Sequence, residues 1–94
     1  MQQLQACTFV NQYSEIEGFQ ERRTVTYSAK ALPNGIHLSV QQEDKSDTCS
    51  EACVCSSTSF EKAASFLKYI CENSIGIGSW YDVLRDMGAT FTIV

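Results

Sequence analysis

The chain has 94 residues, of which 44% are hydrophobic and 19% are charged, with 7 basic against 11 acidic side chains and a formal net charge of -4. A chain of this length is expected to form a single domain, residues 1–94, that buries about two-thirds of its unfolded surface in one core. Binding to a phosphate backbone depends on neutralisation by Lys and Arg, so the acidic balance argues against nucleic acid as a partner.

The start of the chain and its cysteines predict the compartment. The first residues show no basic segment followed by an apolar one, and no apolar run approaches the ~20 residues of a membrane-spanning helix. We therefore expect a cytoplasmic protein without a membrane partner. The 5 cysteines are odd in number, which in this compartment favours reduced thiols over a disulfide framework.

The first half of the sequence predicts β-strands. Residues 6–13 mix aromatic and β-branched types, and residues 22–30 alternate between apolar and polar side chains. The segment between them, residues 14–20, is acidic with a central glycine and is typical of a hairpin turn. Both runs are therefore expected to form half-buried strands of one hairpin.

A second hairpin is expected around Leu32-Pro33-Asn34-Gly35. Proline presets φ for the second position of a turn, and Asn-Gly tolerates the positive φ values of tight hairpins. The alternating residues 36–41 then form a strand. A polar, charged turn over residues 42–47 leads to a further strand over residues 48–55.

The hydrophobic period changes at residue 58 from two to three or four. Thr58 and Glu61 have the spacing of a capping box, which predicts a helix start. The apolar residues of this helix fall on one stripe: Phe60, Ala63, Ala64, Leu67, Ile70 and Cys71. The segment 75–78 ends this helix, a short second helix runs from Ser79 to Met87, and the tail 89–94 either pairs at a sheet edge or remains frayed.

Strands followed by helices predict an α+β domain. We expect a three- or four-stranded antiparallel sheet in the N-terminal half, packed on one face by two C-terminal helices.

Four cysteines form the first candidate site. Cys49, Cys53 and Cys55 lie close together, Cys71 lies on the first helix, and four thiolates can hold Zn²⁺ tetrahedrally. However, the C-x3-C-x-C spacing lacks the paired knuckles of structural zinc sites. Because free cysteine usually packs as a small hydrophobe, buried thiols are favoured, and a zinc or redox-thiol site is kept as the alternative.

The remaining polar motifs favour structural roles. His37 is expected on the outer side of its strand, without a nucleophilic partner. Gly76-Ile77-Gly78 resembles part of a phosphate-binding loop, but both glycine patterns are incomplete, so a helix-to-helix connection is favoured. No catalytic residue and no cofactor are predicted.

Three aromatic residues lie off the two apolar stripes: Phe66, Tyr69 and Tyr81. If the sheet covers only one side of each helix, these rings are partly exposed. Aromatic residues often anchor protein interfaces, so we hypothesise a protein-binding surface here. The alternative is a core that extends further round the helices.

The sequence also carries a family resemblance. It depends on Tyr27, on Asn34-Gly35-Ile36, on the helix start from Thr58 to Phe60, and on Tyr81-Asp82-Val83-Leu84 with Asp86. From about residue 22 to about residue 88, the chain resembles a family of short uncharacterised proteins from Gram-positive anaerobic bacteria that carry a domain of unknown function. The resemblance implies a small intracellular bacterial protein and carries no catalytic residues.

Together these features predict a non-enzymatic protein-binding or regulatory module whose partner is another protein or a second copy of itself. An edge strand, either residues 48–55 or the tail, would offer β-pairing as the means of assembly. One alternative is the cysteine-based metal or redox-thiol protein. The other is a small acidic phage-type inhibitor of a host enzyme, for which a charge of -4 is modest.

Overall fold

A computed structural model describes residues 5–14, 16–18, 22–45, 47–56 and 58–94. In these ranges the chain forms five strands and two helices. The strands are β1 (Ala6–Tyr13), β2 (Arg23–Leu32), β3 (Gly35–Asp44), β4 (Thr48–Cys55) and β5 (Phe91–Ile93), and the helices are α1 (Phe60–Glu72) and α2 (Trp80–Asp86). The predicted α+β class is confirmed, but the described sheet has five strands, not three or four.

The sheet is antiparallel throughout, with the order β1-β2-β3-β4-β5. The strand predicted over residues 48–55 is confirmed as β4. The fifth strand comes from the tail, which pairs with the last three residues of β4. The backbone N–H of Val94 continues this contact by donating to the carbonyl oxygen of Ala52 at 3.1 Å. Pairing gives the tail's backbone groups hydrogen-bond partners, so it does not remain frayed.

The hairpin between β2 and β3 turns at Pro33 and Asn34, flanked by the paired residues Leu32 and Gly35. Of the Asn-Gly dipeptide only Gly35 has a positive φ, at 138°. A Cβ atom at Gly35 would lie 2.7 Å from the carbonyl oxygen of Cys55, so the position requires glycine on both counts. The turn predicted over residues 14–20 joins β1 to β2, although residues 15, 19 and 20 lie outside the described ranges.

Helix α1 starts one residue later than the capping box predicts. Its N-cap is Ser59, whose hydroxyl oxygen accepts from the backbone N–H of Lys62 at 3.2 Å. The helix also ends before the predicted break at residues 75–78, with Asn73 as C-cap and Ser74 at a positive φ of 55°. Helix α2 begins after Ser79, as expected, without a capping hydrogen bond from that side chain.

The core lies between the helices and one face of the sheet. Successive residues of a strand face opposite sides, so one set of strand residues is buried under the helices. These residues form one hydrophobic cluster: Val25, Tyr27, Ala29, Ile36, Leu38, Val40, Cys53, Cys55, Ala63, Phe66, Leu67, Ile70, Cys71, Trp80 and Leu84. The opposite face of the central strands β2 and β3 is mostly polar, with Thr24, Thr26, Ser28 and Ser39 near its middle. His37 lies on that face, half-buried.

Replacing Gly35 with Ala tests the β2–β3 hairpin. The new methyl group would meet the backbone oxygen of Cys55 and the residue would keep a disfavoured φ, so we expect Gly35→Ala to lower the free energy of unfolding by about 2–3 kcal/mol. Urea denaturation followed by tryptophan fluorescence measures this loss. Gly88→Ala is the control, because Gly88 also has a positive φ but no atom within 4 Å of a built Cβ. Equal losses in the two variants would contradict the role assigned to the Cys55 contact.

Candidate functional site

Strand β1 forms one edge of the described sheet. It pairs with β2 over its full length, from Ala6 opposite Lys30 to Tyr13 opposite Arg23, without a bulge. The N–H of Ala31 donates to the carbonyl oxygen of Gln5 at 2.8 Å, so these two residues form a hydrogen-bonded pair of the β1–β2 ladder. In an antiparallel pair the bonded positions alternate, so the odd-numbered residues of β1 bond to β2.

The even-numbered residues of β1 therefore direct their backbone N–H and C=O groups away from β2. They are Ala6, Thr8, Val10 and Gln12, and all four are exposed. Their side chains lie on the face of the sheet opposite the helices. This edge presents a row of four N–H and four C=O groups that no other described strand pairs.

The composition of β1 leaves this edge unprotected. Proteins usually guard an exposed edge with charged side chains, proline, a bulge or a very short strand. The sequence ACTFVNQY contains no charged residue and no proline, and its pairing is continuous. Val10 is 49% exposed near the middle of the strand.

The opposite edge of the sheet is different. Strand β5 covers the end of β4 but is only three residues long. The rest of β4 follows a turn in which the Asp44 carboxylate accepts from the N–H of Asp47, and the Asp47 carboxylate accepts from the N–H of Thr48. This edge is therefore short and flanked by charge, as protected edges are. The tail strand β5 lies at this edge, as one of the two predicted alternatives has it, while the sequence prediction does not include the edge at β1.

Helix α1 holds β1 in place through a reciprocal pair of hydrogen bonds. The Asn11 side-chain amide donates to the carbonyl oxygen of Cys71 at 2.7 Å, and the Cys71 thiol donates to the Asn11 amide oxygen at 3.4 Å. Burial, together with the nearby Glu72 carboxylate, raises the pKa of the Cys71 thiol, so it stays protonated and keeps this donor. The helix-facing side of β1 also packs on the core through Phe9.

The aromatic surface proposed from sequence is only partly exposed. Phe66 is 8% exposed and belongs to the core, so the alternative of a core that extends further round α1 holds for this residue. Tyr69 is 50% exposed. Tyr81 is half-buried, and its hydroxyl donates to the carbonyl oxygen of Ala52 at 2.9 Å.

Tyr81 belongs to a separate aromatic stack. Its ring centroid lies 4.5 Å from that of Trp80 and 5.9 Å from that of Phe91 on β5. The Arg85 guanidinium lies 5.5 Å from the Phe91 ring centroid. This stack attaches α2 and the tail strand to β4.

The cysteines occupy different environments. Cys53 and Cys55 are fully buried on the helix-facing side of β4, while Cys49 on the same strand is exposed. The pKa of the Cys53 thiol is raised, chiefly by its hydrogen bond with Cys55 and secondarily by its burial. Among the described residues, no three His, Cys, Asp or Glu side chains form a group that could hold a metal ion. The packed-thiol interpretation agrees with the burial of Cys53, Cys55 and Cys71.

Glu51 organises the connection between the two helices. The carboxylate oxygen Oε1 accepts from the backbone N–H of Gly78 at 2.8 Å and from the indole Nε1 of Trp80 at 3.1 Å. The sequence places Glu51 on the same strand face as Cys53, but it does not show what the carboxylate binds. In the Gly76-Ile77-Gly78 segment, the N–H of Gly78 is thus bound by a carboxylate of the same chain.

Comparison with known protein families, with curated proteins and with solved structures finds no match. Within the described ranges, the chain has no helix long and apolar enough to cross a membrane.

Removing the Glu51 carboxylate tests how much its two hydrogen bonds stabilise the fold. Glu51→Ala leaves the buried Trp80 indole N–H and the Gly78 N–H without an acceptor, so we expect a loss of about 2–3 kcal/mol in unfolding free energy. Glu51→Gln keeps an oxygen acceptor and should lose about 1 kcal/mol. Urea unfolding followed by Trp80 fluorescence checks both values. If the two variants are equally stable, the carboxylate oxygen is not the acceptor that matters.

The exposure of the thiols predicts their reactivity. With a chromogenic disulfide reagent at neutral pH, Cys49 should react first and Cys7 more slowly, because Cys7 is half-buried. Cys53, Cys55 and Cys71 should react only after urea unfolding. The control is Cys49→Ser, which should lack the fast phase. A fast phase that survives in this variant, or bound zinc that protects several thiols, would contradict the assignment.

Proposed function

We propose that this chain is a non-enzymatic protein-binding module and that its partner binds as an added strand along β1. The observation that carries the proposal is the row of outward-pointing backbone groups on an uncharged, unbulged edge strand. In strand addition, main-chain hydrogen bonds supply affinity and alternate side chains supply specificity. An edge of this kind is otherwise a hazard for aggregation, which proteins normally suppress.

The attachment of β1 supports this role. The strand is bonded to β2 along its whole length and is tied to α1 through Asn11 and Cys71. A strand that is already ordered loses little conformational entropy when a second strand pairs with it. The free edge is thus preorganised for an extended partner segment.

Tyr69 is an aromatic residue that a partner can reach. Of Phe66, Tyr69 and Tyr81, Tyr69 has the exposed ring, and we propose it as an additional contact for a protein partner. Phe66 and Tyr81 pack within the protein, so they act through the stability of the fold.

The setting proposed for this module is the cytoplasm of a bacterium, where the five free thiols would stay reduced. A net charge of -4 spread over turns and helix faces supports solubility and does not favour nucleic acid as a partner.

A designed strand peptide tests the proposal. The probe is an eight-residue peptide that alternates Thr and Val, with a Lys at each end for solubility. In ¹⁵N-labelled protein held at a dilution where it is monomeric, we expect the peptide to shift the amide signals of Thr8 and Val10. The signal of Ser39, which lies on the same face in a central strand, should not move.

Val10→Pro is the variant that blocks the edge. It removes an outward-pointing N–H without touching a bond to β2, and edge strands tolerate proline at such positions. Peptide binding should fall at least tenfold while the stability of the fold changes by less than about 1.5 kcal/mol. The matched pair Thr8→Lys and Ser39→Lys adds the same charge to the same face, and only the former should weaken binding. Equal binding of the peptide to wild type and to Val10→Pro would contradict the proposal.

A further inference from the structure

Strand β1 is complementary to a second copy of itself. Its outward-pointing groups belong to Ala6, Thr8, Val10 and Gln12, and a partner strand can use them only if its own outward-pointing residues are placed opposite. An antiparallel copy with a two-fold axis at Phe9 does this. Ala6 then faces Gln12 of the second copy, and Thr8 faces Val10.

This register uses every outward-pointing group of the edge. Each of the four residues donates one N–H and accepts at one C=O, which gives about eight hydrogen bonds across the two strands. A two-fold axis at Val10 would place Ala6 of each copy opposite Ser14, which follows the last residue of β1. The length of β1 and the positions of its outward-pointing residues therefore favour the pairing centred on Phe9.

The side chains agree with this arrangement. Phe9 of each copy would meet the other at a non-hydrogen-bonded position, where the strands approach most closely and aromatic pairs stabilise a sheet. Phe9 lies on the helix-facing side and is only partly buried within one copy. The pairing therefore extends the hydrophobic layer under the helices from one copy to the next.

The absence of charge on β1 allows a second copy to pair with it. The chain carries a net charge of -4, so two copies repel each other at long range. The eight residues of β1 carry none of that charge. A self-paired β1 thus brings no like charges face to face, and it offers no counter-charge that would select an acidic or basic partner.

We infer that the protein forms a two-fold symmetric dimer in which β1 pairs with β1 of the second copy about Phe9, joining the two five-stranded sheets into one. This inference rests on the proposed function and names the partner of the same edge. Because the repulsion between copies is screened by salt while the paired strands are uncharged, added salt strengthens the dimer.

Sedimentation equilibrium over a range of concentrations tests the dimer. Wild type should sediment as a dimer, and Val10→Pro and Thr8→Lys should weaken association at least tenfold, whereas Ser39→Lys should not. Circular dichroism and urea unfolding confirm that each variant is folded. A dimer that persists unchanged in Val10→Pro would overturn the inference, because another surface would then hold it.

The outcomes separate this inference from the proposed function. If wild type is monomeric at every concentration but binds the Thr–Val peptide in a Val10→Pro-sensitive way, the second copy is the wrong partner and strand addition stands. If wild type is monomeric and binds no peptide, both fail.

Disulfide trapping tests the register. In a Cys7→Ser, Cys49→Ser background with diamide as oxidant, Phe9→Cys should yield a covalent dimer on a non-reducing gel, and Val10→Cys should yield much less. The reverse order would place the axis elsewhere and overturn the Phe9-centred pairing. Sedimentation of the reduced Phe9→Cys variant shows whether the substitution itself weakens the dimer.

Discussion

The segment between the two helices depends on polar side chains from the sheet. The last carbonyl groups of α1 and the backbone groups of residues 73–79, which connect it to α2, have no partners within a regular helix. Three strands provide the partners. Asn11 of β1 donates to Cys71, Tyr27 of β2 donates to Ile75 at 2.7 Å, and Glu51 of β4 accepts from Gly78 and Trp80. Burial, reinforced by the nearby Tyr13 phenol, raises the pKa of Tyr27 to about 12, so its hydroxyl remains a donor well above neutral pH.

These contacts fix where the helices cover the sheet. A helix with its side chains is about 10–12 Å wide, whereas strands are spaced about 4.8 Å apart, so two helices span about four to five strands. Helix α1 contacts β1, β2 and β3. The aromatic stack brings α2 to β4 and β5. A single helical layer covers one face and leaves the outer side of β1 open, so the free edge follows from the layer architecture of a short chain.

The sequence predicts the local elements of this fold well. Alternation in residues 36–41 and the three-to-four period after residue 58 identify β3 and α1, because each pattern reflects burial on one face. The sequence misses features that depend on contacts distant in the chain. It places the helix cap at Thr58, one residue early, whereas the side chain that accepts from the first turn of α1 is that of Ser59. It leaves the tail undecided because a three-residue strand is specified by its partner β4.

The free edge could not be predicted for the same reason. The sequence of residues 6–13 indicates a strand, but the order of strands in the sheet determines whether that strand is central or at an edge. In a central strand both rows of backbone groups are paired with neighbouring strands. A lack of charged side chains in such a strand therefore indicates nothing about binding. At an edge the same composition is exceptional, since charge or proline would cost little and would prevent unwanted pairing. The edge position of β1 together with its uncharged sequence therefore favours a strand that pairs with a partner.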